Sequence, residues 1–161
     1  MIARMTVIRS ATASDLPAVK AIYDEYVATS TATFDTEPSS LEVWSGKLDR
    51  MYVATDPEVL GFAYAAAYRP RRAYDNTVET TIYLAPGTGG RGIGRQLYSA
   101  LLDRIDAEGV HTALAVIALP NDASVRLHES VGFVQAGVLR EVGHKFGRWI
   151  DTAFYQRTPA R

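Results

Sequence analysis

Apolar positions along this chain follow two different periods, and the switches between them mark out its elements. Thr6 to Arg9 reads as a short first strand. Leu16, Val19, Ile22, Tyr23 and Val27 then recur at helical spacing behind Ser14-Asp15 and Pro17, residue types that open a helix. The stretch 29–38 (TSTATFDTEP) is too polar and β-branched to carry that helix on, and reads as a surface loop holding Phe34. Ser39-Ser40-Leu41-Glu42 has the form of a capping box and predicts a second helix through Leu48.

Tyr52 to Thr55 and Val59 to Tyr68 predict two antiparallel strands around Asp56-Pro57-Glu58. A basic, turn-like stretch (RPRRAYDN, 69–76) leads into Thr77 to Leu84, the segment richest in β-formers. Pro86-Gly87-Thr88-Gly89-Gly90 stops that strand. Helical spacing resumes with Ile93, Leu97, Leu101 and Ile105 and closes at Gly109. A strand over Thr112 to Ile117, a helix from about Asn121 to Val131 and two final strands, Val134 to Val142 and Trp149 to Gln156, complete the pattern. No repeat, linker or low-complexity block interrupts it. The fold class predicted is α/β (α+β), one mixed sheet with helices on its faces, as a single domain over 1–161.

Composition narrows the function classes. The 161 residues are 47% apolar and 22% charged, with 12 Gly, 7 Pro and no Cys, so no disulfide scaffold, thiol nucleophile or thiolate metal site is available. Lys plus Arg number 17 against 18 Asp plus Glu, a balance with no long-range field for nucleic acid or an anionic membrane. The opening MIARMTVIRSATASD carries no apolar run of leader length and no window reaches bilayer-spanning length, so a cytoplasmic location is expected. His111, His128 and His144 lack a metal-binding spacing, and no metal is expected.

The segment TIYLAPGTGGRGIGRQLYSALLDRI runs a strand through five glycines in eight residues directly into an amphipathic helix. Main-chain N–H groups of Gly90, Arg91, Gly92, Ile93 and Gly94 at a helix N-terminus form a natural diphosphate site. A glycine cluster alone fits a flexible loop or a cap equally well. A Walker A loop needs Gly-Lys-Ser/Thr at its end, whereas Gly94 is followed by Arg95-Gln96. A dinucleotide fingerprint belongs after the first strand of a parallel unit, not mid-chain after antiparallel hairpins.

At these residues the sequence resembles the GNAT acetyltransferase superfamily, whose coenzyme A loop reads Arg/Gln-x-x-Gly-x-Gly/Ala at such a junction. The match is Gly89-Gly90-Arg91-Gly92-Ile93-Gly94, with Gly89 where Arg or Gln is usual. TATFDTEP, AYDNTVETTIYLAP, AVIALPNDASVRLHESVGF and GHKFGRWIDTAFYQ extend the resemblance over nearly the whole chain, to the phosphinothricin and methionine sulfoximine acetyltransferase group. The resemblance implies a GNAT-type mixed, mostly antiparallel sheet flanked by helices. It implies acetyl transfer from acetyl-CoA to the α-amine of a small amino acid, with the coenzyme held by Gly89 to Gly94, Arg95, Asn121 and the main chain of Ile82 and Leu84. By analogy, it implies a homodimer.

Attack of an amine on a thioester needs a base, a donor for the tetrahedral oxyanion and a proton for the thiolate. Glu79 shares a strand face with Thr81 and Tyr83, while Thr80, Ile82 and Leu84 share the other. The resemblance makes Glu79 the catalytic base, acting directly or through water; residue type alone favours a water-facing strand carboxylate, because charged strand residues usually face solvent. His128 is the second candidate, as acid or base, and is also compatible with a helical histidine resting on a backbone carbonyl. For the acceptor, Phe34, Arg72, Tyr74, Tyr83 and Lys145 are the expected lining, with Arg72 or Lys145 on the carboxylate. Plain packing of the aromatics, and surface charge for the arginines, are the alternatives. Acetylation of another amine, on a protein N-terminus or a polyamine, and a non-catalytic coenzyme A-binding module remain as rival functions.

Overall fold

A computed structural model describes residues 5–159; Met1 to Arg4, the start of the segment read above for a leader, lie outside the described residues. The elements in order are β1 (Val7–Ser10), α1 (Leu16–Thr29), α2 (Leu41–Ser45), β2 (Met51–Thr55), β3 (Val59–Ala67), β4 (Thr77–Leu84), α3 (Ile93–Ala107), β5 (Thr112–Ala118), α4 (Asp122–Ser130), β6 (Val134–Lys145) and β7 (Arg148–Arg157). The strands form one sheet in the order β1-β2-β3-β4-β5-β7-β6. Every neighbouring pair is antiparallel except β4 with β5, the mixed, mostly antiparallel sheet expected.

Each sheet face buries its own apolar stripe. On one side α3 sets Leu97, Tyr98, Leu101 and Ile105 against Ala63, Val78, Ala113 and Ala115, with Val125 and Leu127 of α4 and Val131 just after it packing at the edge of that core. On the other, Leu16, Val19 and Ile22 of α1 and Trp44 of α2 cover Met51, Val53, Phe62 and Tyr64. Among the described residues, no helix is long and apolar enough to cross a membrane.

Three local expectations are revised. The second helix stops at Ser45 instead of running through Leu48: Gly46, a poor helix former, follows as the C-cap, and a short 3-10 segment, Leu48–Arg50, takes over. Asp15 does not cap α1 with its side chain. It turns back to accept from the Thr12 N–H (2.8 Å) and both Arg9 guanidinium nitrogens (2.7 and 2.8 Å), forming a capping box with Thr12 on the turn before α1, whereas Ser40, the N-cap of α2 in the expected box, makes no side-chain cap bond. The segment GHKFGRW, read as a connection after a strand ending at Val142, instead continues β6 to Lys145. Lys145 pairs with Arg148 across the turn Phe146-Gly147, where both residues have positive φ (52° and 70°), as a tight hairpin requires. Between Leu139 and Gly143 the β6 register shifts, a bulge that masks the strand period.

Candidate active site

Strands β4 and β5 pair only at Thr77, Val78 and Glu79, opposite Thr112, Ala113 and Leu114. Beyond Glu79 they part: β4 continues along β3 to Leu84, and β5 continues along β7 to Ala118. The Tyr68 N–H donates to the Thr77 carbonyl (3.3 Å) and the Ala85 N–H to the Leu60 carbonyl (2.7 Å), which directs the odd positions of β4 toward β3. Strand alternation turns the main-chain groups of Ile82 and Leu84 into the gap instead. The Leu84 carbonyl is already taken by the Tyr26 hydroxyl (2.5 Å), leaving the Leu84 N–H and both groups of Ile82. A cavity of about 620 Å³ occupies the fork, walled by Thr80 to Leu84, Val116 to Ala118, the glycine-rich turn and the start of α4.

The turn caps the mouth of that fork. Thr88 closes it onto the Ala85 carbonyl through both N–H (3.2 Å) and hydroxyl (2.6 Å). Gly90 and Gly92 adopt φ of +79° and +74°, with Gly92 as the N-cap of α3, a conformation that disfavours any Cβ. The first N–H groups of α3, from Ile93 to Arg95, have no carbonyl within the helix to bond, and these three residues line the cavity. Gly89 has an ordinary φ and nothing within 4 Å of a Cβ built on it, so neither strain nor crowding requires glycine there. Arg91 is absent from the cavity walls; its guanidinium lies 3.3 Å from the Asp56 carboxylate in the β2–β3 turn. Asn121 accepts from the Ser124 N–H (3.2 Å) as the α4 cap and lines the cavity as well.

Glu79 sits at the apex of the fork and His128 faces the same cavity from α4. The imidazole is 4% exposed and enclosed by Tyr98, Phe133 and Tyr155. Its Nδ1 lies 2.7 Å from the Ser124 carbonyl; a carbonyl only accepts, so Nδ1 carries the proton and the neutral ring's lone pair is on Nε2. Burial holds its pKa below the usual imidazole value, against the opposing pull of that hydrogen bond. His128 is thus held neutral, competent to take up a proton.

Phe34 and Tyr83 reach the cavity; Arg72, Tyr74 and Lys145, grouped with them on sequence, are absent from its walls. Arg72 and Tyr74 are exposed in the β3–β4 connection, where Tyr74 packs edge-on against Tyr68. Lys145 is 5% exposed, and its ammonium donates to the carbonyls of Ser30 (2.7 Å) and Thr33 (2.9 Å). Burial lowers its pKa, while Asp35 opposes the shift. The Tyr83 hydroxyl donates to the Ala32 carbonyl (2.9 Å), and burial pushes its pKa up. Tyr23 bonds the Thr33 and Asp35 side chains. Phe34 lies against Gly143, where a Cβ would meet its ring at 2.4 Å. Residues 30–35 are therefore the surface loop expected, clamped so that Ala32, Thr33 and Phe34 wall the cavity.

Sequence reading missed Tyr26, Thr80, Ser124 and Thr152, which also line the cavity. Ser124 was detectable by its spacing, four residues before His128 on one helix face. Thr80 has the opposite strand parity to Glu79, and only the fork makes both faces of β4 count. Among the described residues, no group of three or more His, Asp or Glu side chains is placed to hold a metal.

The family model described as Acetyltransferase (GNAT) domain matches residues 8–154. The phosphinothricin N-acetyltransferase of Streptomyces coelicolor is 47% identical, over 93% of this chain and 94% of that protein. The L-methionine sulfoximine/L-methionine sulfone acetyltransferase of Pseudomonas aeruginosa is 39% identical, over 92% of each. Among solved structures, a phosphinothricin acetyltransferase from Sinorhizobium meliloti in complex with AcCoA superposes with a TM-score of 0.90 at 39% identity, covering 95% of this chain and 88% of that one.

Proposed function

The chain belongs to the GNAT acetyltransferase family, and on that premise we propose that it transfers acetyl from acetyl-CoA to the α-amine of a small amino acid of the phosphinothricin or methionine sulfoximine type. The observation that carries this reading is the β4–β5 fork, with a glycine-rich helix N-terminus at its mouth and Glu79 at its apex. The relatives' names supply the acceptor class.

In this reading the N–H groups from Gly90 to Arg95 hold the diphosphate, and Ile82, the Leu84 N–H and Asn121 hold the pantetheine arm. Glu79 takes a proton from the substrate ammonium, directly or through water. The freed amine attacks the thioester carbon, a C–N bond forms and the C–S bond breaks. The second amine proton passes to the departing thiolate, so the products are an N-acetyl amino acid and coenzyme A. His128, neutral with its lone pair on Nε2, serves as alternative base and as the relay for that proton. Phe34 and Tyr83 shape the acceptor side. With Lys145 already serving two backbone carbonyls, Arg72 is the proposed cation for the acceptor carboxylate, reaching in from outside the cavity walls on the exposed connection ahead of the strand of Glu79.

A cytoplasmic homodimer completes the proposal. Val142 (55% exposed) and Trp149 (66%), with Phe146 (55%) at the turn, leave apolar side chains exposed on the β6–β7 hairpin at the sheet edge, the kind of surface that a second copy covers. Sedimentation of the purified chain tests the dimer, and fractionation of the producing cells tests the location.

Thiol release measures turnover without background, because the chain has no cysteine. With acetyl-CoA present, phosphinothricin, methionine sulfoximine and methionine sulfone are expected to release coenzyme A and yield N-acetyl products. Turnover of a polyamine or a peptide N-terminus with none of these amino acids overturns the acceptor assignment. Acetyl-CoA binding with no turnover of any amine favours a binding module.

A further inference from the structure

Thr80 is the first residue of β4 beyond the last β4–β5 pair, and its side chain points to the α3 side of the sheet, where it is 4% exposed. Its hydroxyl lies 3.3 Å from the carbonyl of Leu114, the β5 residue of that last pair, and 2.5 Å from the Tyr98 hydroxyl. The carbonyl only accepts, so the Thr80 proton goes to Leu114 and Tyr98 donates to Thr80. Tyr98 is fully buried in α3, and burial pushes its pKa up, which keeps it a donor. The same ring meets His128 edge-on, with centroids 5.0 Å apart and planes at 85°. One phenol therefore touches both the point where the fork opens and the imidazole that faces it.

We infer that Tyr98 and Thr80 are positioning residues for acyl transfer: their hydroxyl chain to Leu114 pins the apex of the fork, and the Tyr98 ring sets the imidazole of His128 against it. The inference rests on the acetyl-transfer reading above and adds residues outside the expected site. A valine at position 80 keeps the β-branched shape and removes the hydroxyl. Without it β4 and β5 are tied at the apex by main-chain pairing alone, and the width of the gap receiving the thioester is less well defined. Tyr98 itself has no place in the cavity walls, so its effect on turnover passes through Thr80 and His128.

The test uses Thr80→Val, Thr80→Ser, Tyr98→Phe and Tyr98→Leu, with acetyl-CoA dissociation constants by calorimetry, kcat and KM by thiol release, and thermal melts. Thr80→Val and Tyr98→Phe are each expected to weaken acetyl-CoA binding about five-fold, the scale of one neutral hydrogen bond. Their double variant is expected to be no worse than Thr80→Val alone, and Thr80→Ser to stay within about two-fold of the native chain. Tyr98→Leu, which removes the ring, is expected to shift the acid limb of the kcat/KM profile, whereas Tyr98→Phe leaves that limb in place. The inference is overturned if Thr80→Val and Tyr98→Phe lower only the melting temperature, or if Thr80→Ser behaves like Thr80→Val. Should Thr80→Val fail to fold, Tyr98→Phe and Thr80→Ser decide alone. If the native chain binds acetyl-CoA yet acetylates no amine, the transfer reading fails, and the binding ratios still judge the pinned apex.

Discussion

The Nδ1 of His128 and the carbonyl of Ser124 are joined at 2.7 Å within one turn of α4. That bond selects the tautomer, and burial keeps the ring neutral. Because the folded pKa is lowered, the neutral form persists below the ordinary value of about 6.5. The acid limb of kcat/KM attributable to this ring is therefore expected below that pH. Stability follows the same sign: His128 costs nothing above the unfolded value and destabilises as pH falls from there toward the folded one. His128→Ala is expected to lower kcat about 100-fold with acetyl-CoA affinity little changed. A variant with native kcat removes His128 from the chemistry.

Glu79→Gln keeps the side-chain shape at the fork apex and removes the carboxylate. A loss of about 100-fold or more in kcat is expected, the usual worth of a positioned base, with coenzyme binding by calorimetry unchanged. A loss confined to coenzyme affinity would recast Glu79 as part of the pocket wall.

The glycine-rich turn separates two kinds of glycine. Gly92→Ala is expected to weaken acetyl-CoA binding and cost about 1 kcal/mol in a denaturant titration, because φ is +74° there. Gly89→Arg is expected to fold normally, since open space surrounds that position, and to tighten acetyl-CoA binding by adding a cation near the diphosphate. Equal or weaker binding by Gly89→Arg would place the anion elsewhere.

Lys145→Met leaves the Ser30 and Thr33 carbonyls without their donor, a cost of about 1–3 kcal/mol for buried acceptors. The wall carrying Phe34 loosens, so the acceptor KM is expected to rise while the acetyl-CoA dissociation constant holds. Direct binding of the acceptor carboxylate by Lys145 would instead be indicated by an unchanged melting temperature with a raised acceptor KM.

Asp15 supplies an acid-stability test remote from the site. The Arg9 guanidinium holds its carboxyl down at about 2. A lowered folded pKa gives stability that is complete above the unfolded value and lost as pH falls toward the folded one, so the loss falls between about pH 4 and pH 2. Since Arg9 is partly exposed, Asp15→Asn is expected to cost about 1 kcal/mol at neutral pH, with the difference from native vanishing in acid melts.

What the sequence determined by itself was local in origin. Helical spacing from Ile93 to Ile105, the β-rich run from Thr77 to Leu84 and the glycine-rich junction between them are written in neighbouring residues, so α3, β4 and the turn between them were legible. Alternation along β4 likewise separated Glu79 and Tyr83 from Ile82 and Leu84. The order of the strands, the parting of β4 from β5 and the hydroxyl chain from Tyr98 to Leu114 were decided only in three dimensions. Lys145 shows why. Its charge suggested the acceptor carboxylate as its partner, but the long β6 strand carries it beneath residues 30–35, where two backbone carbonyls far away in sequence need a donor. Periodicity reports which face a residue takes; which groups await it there depends on how distant segments pack, and that pairing leaves no repeat to read along the chain.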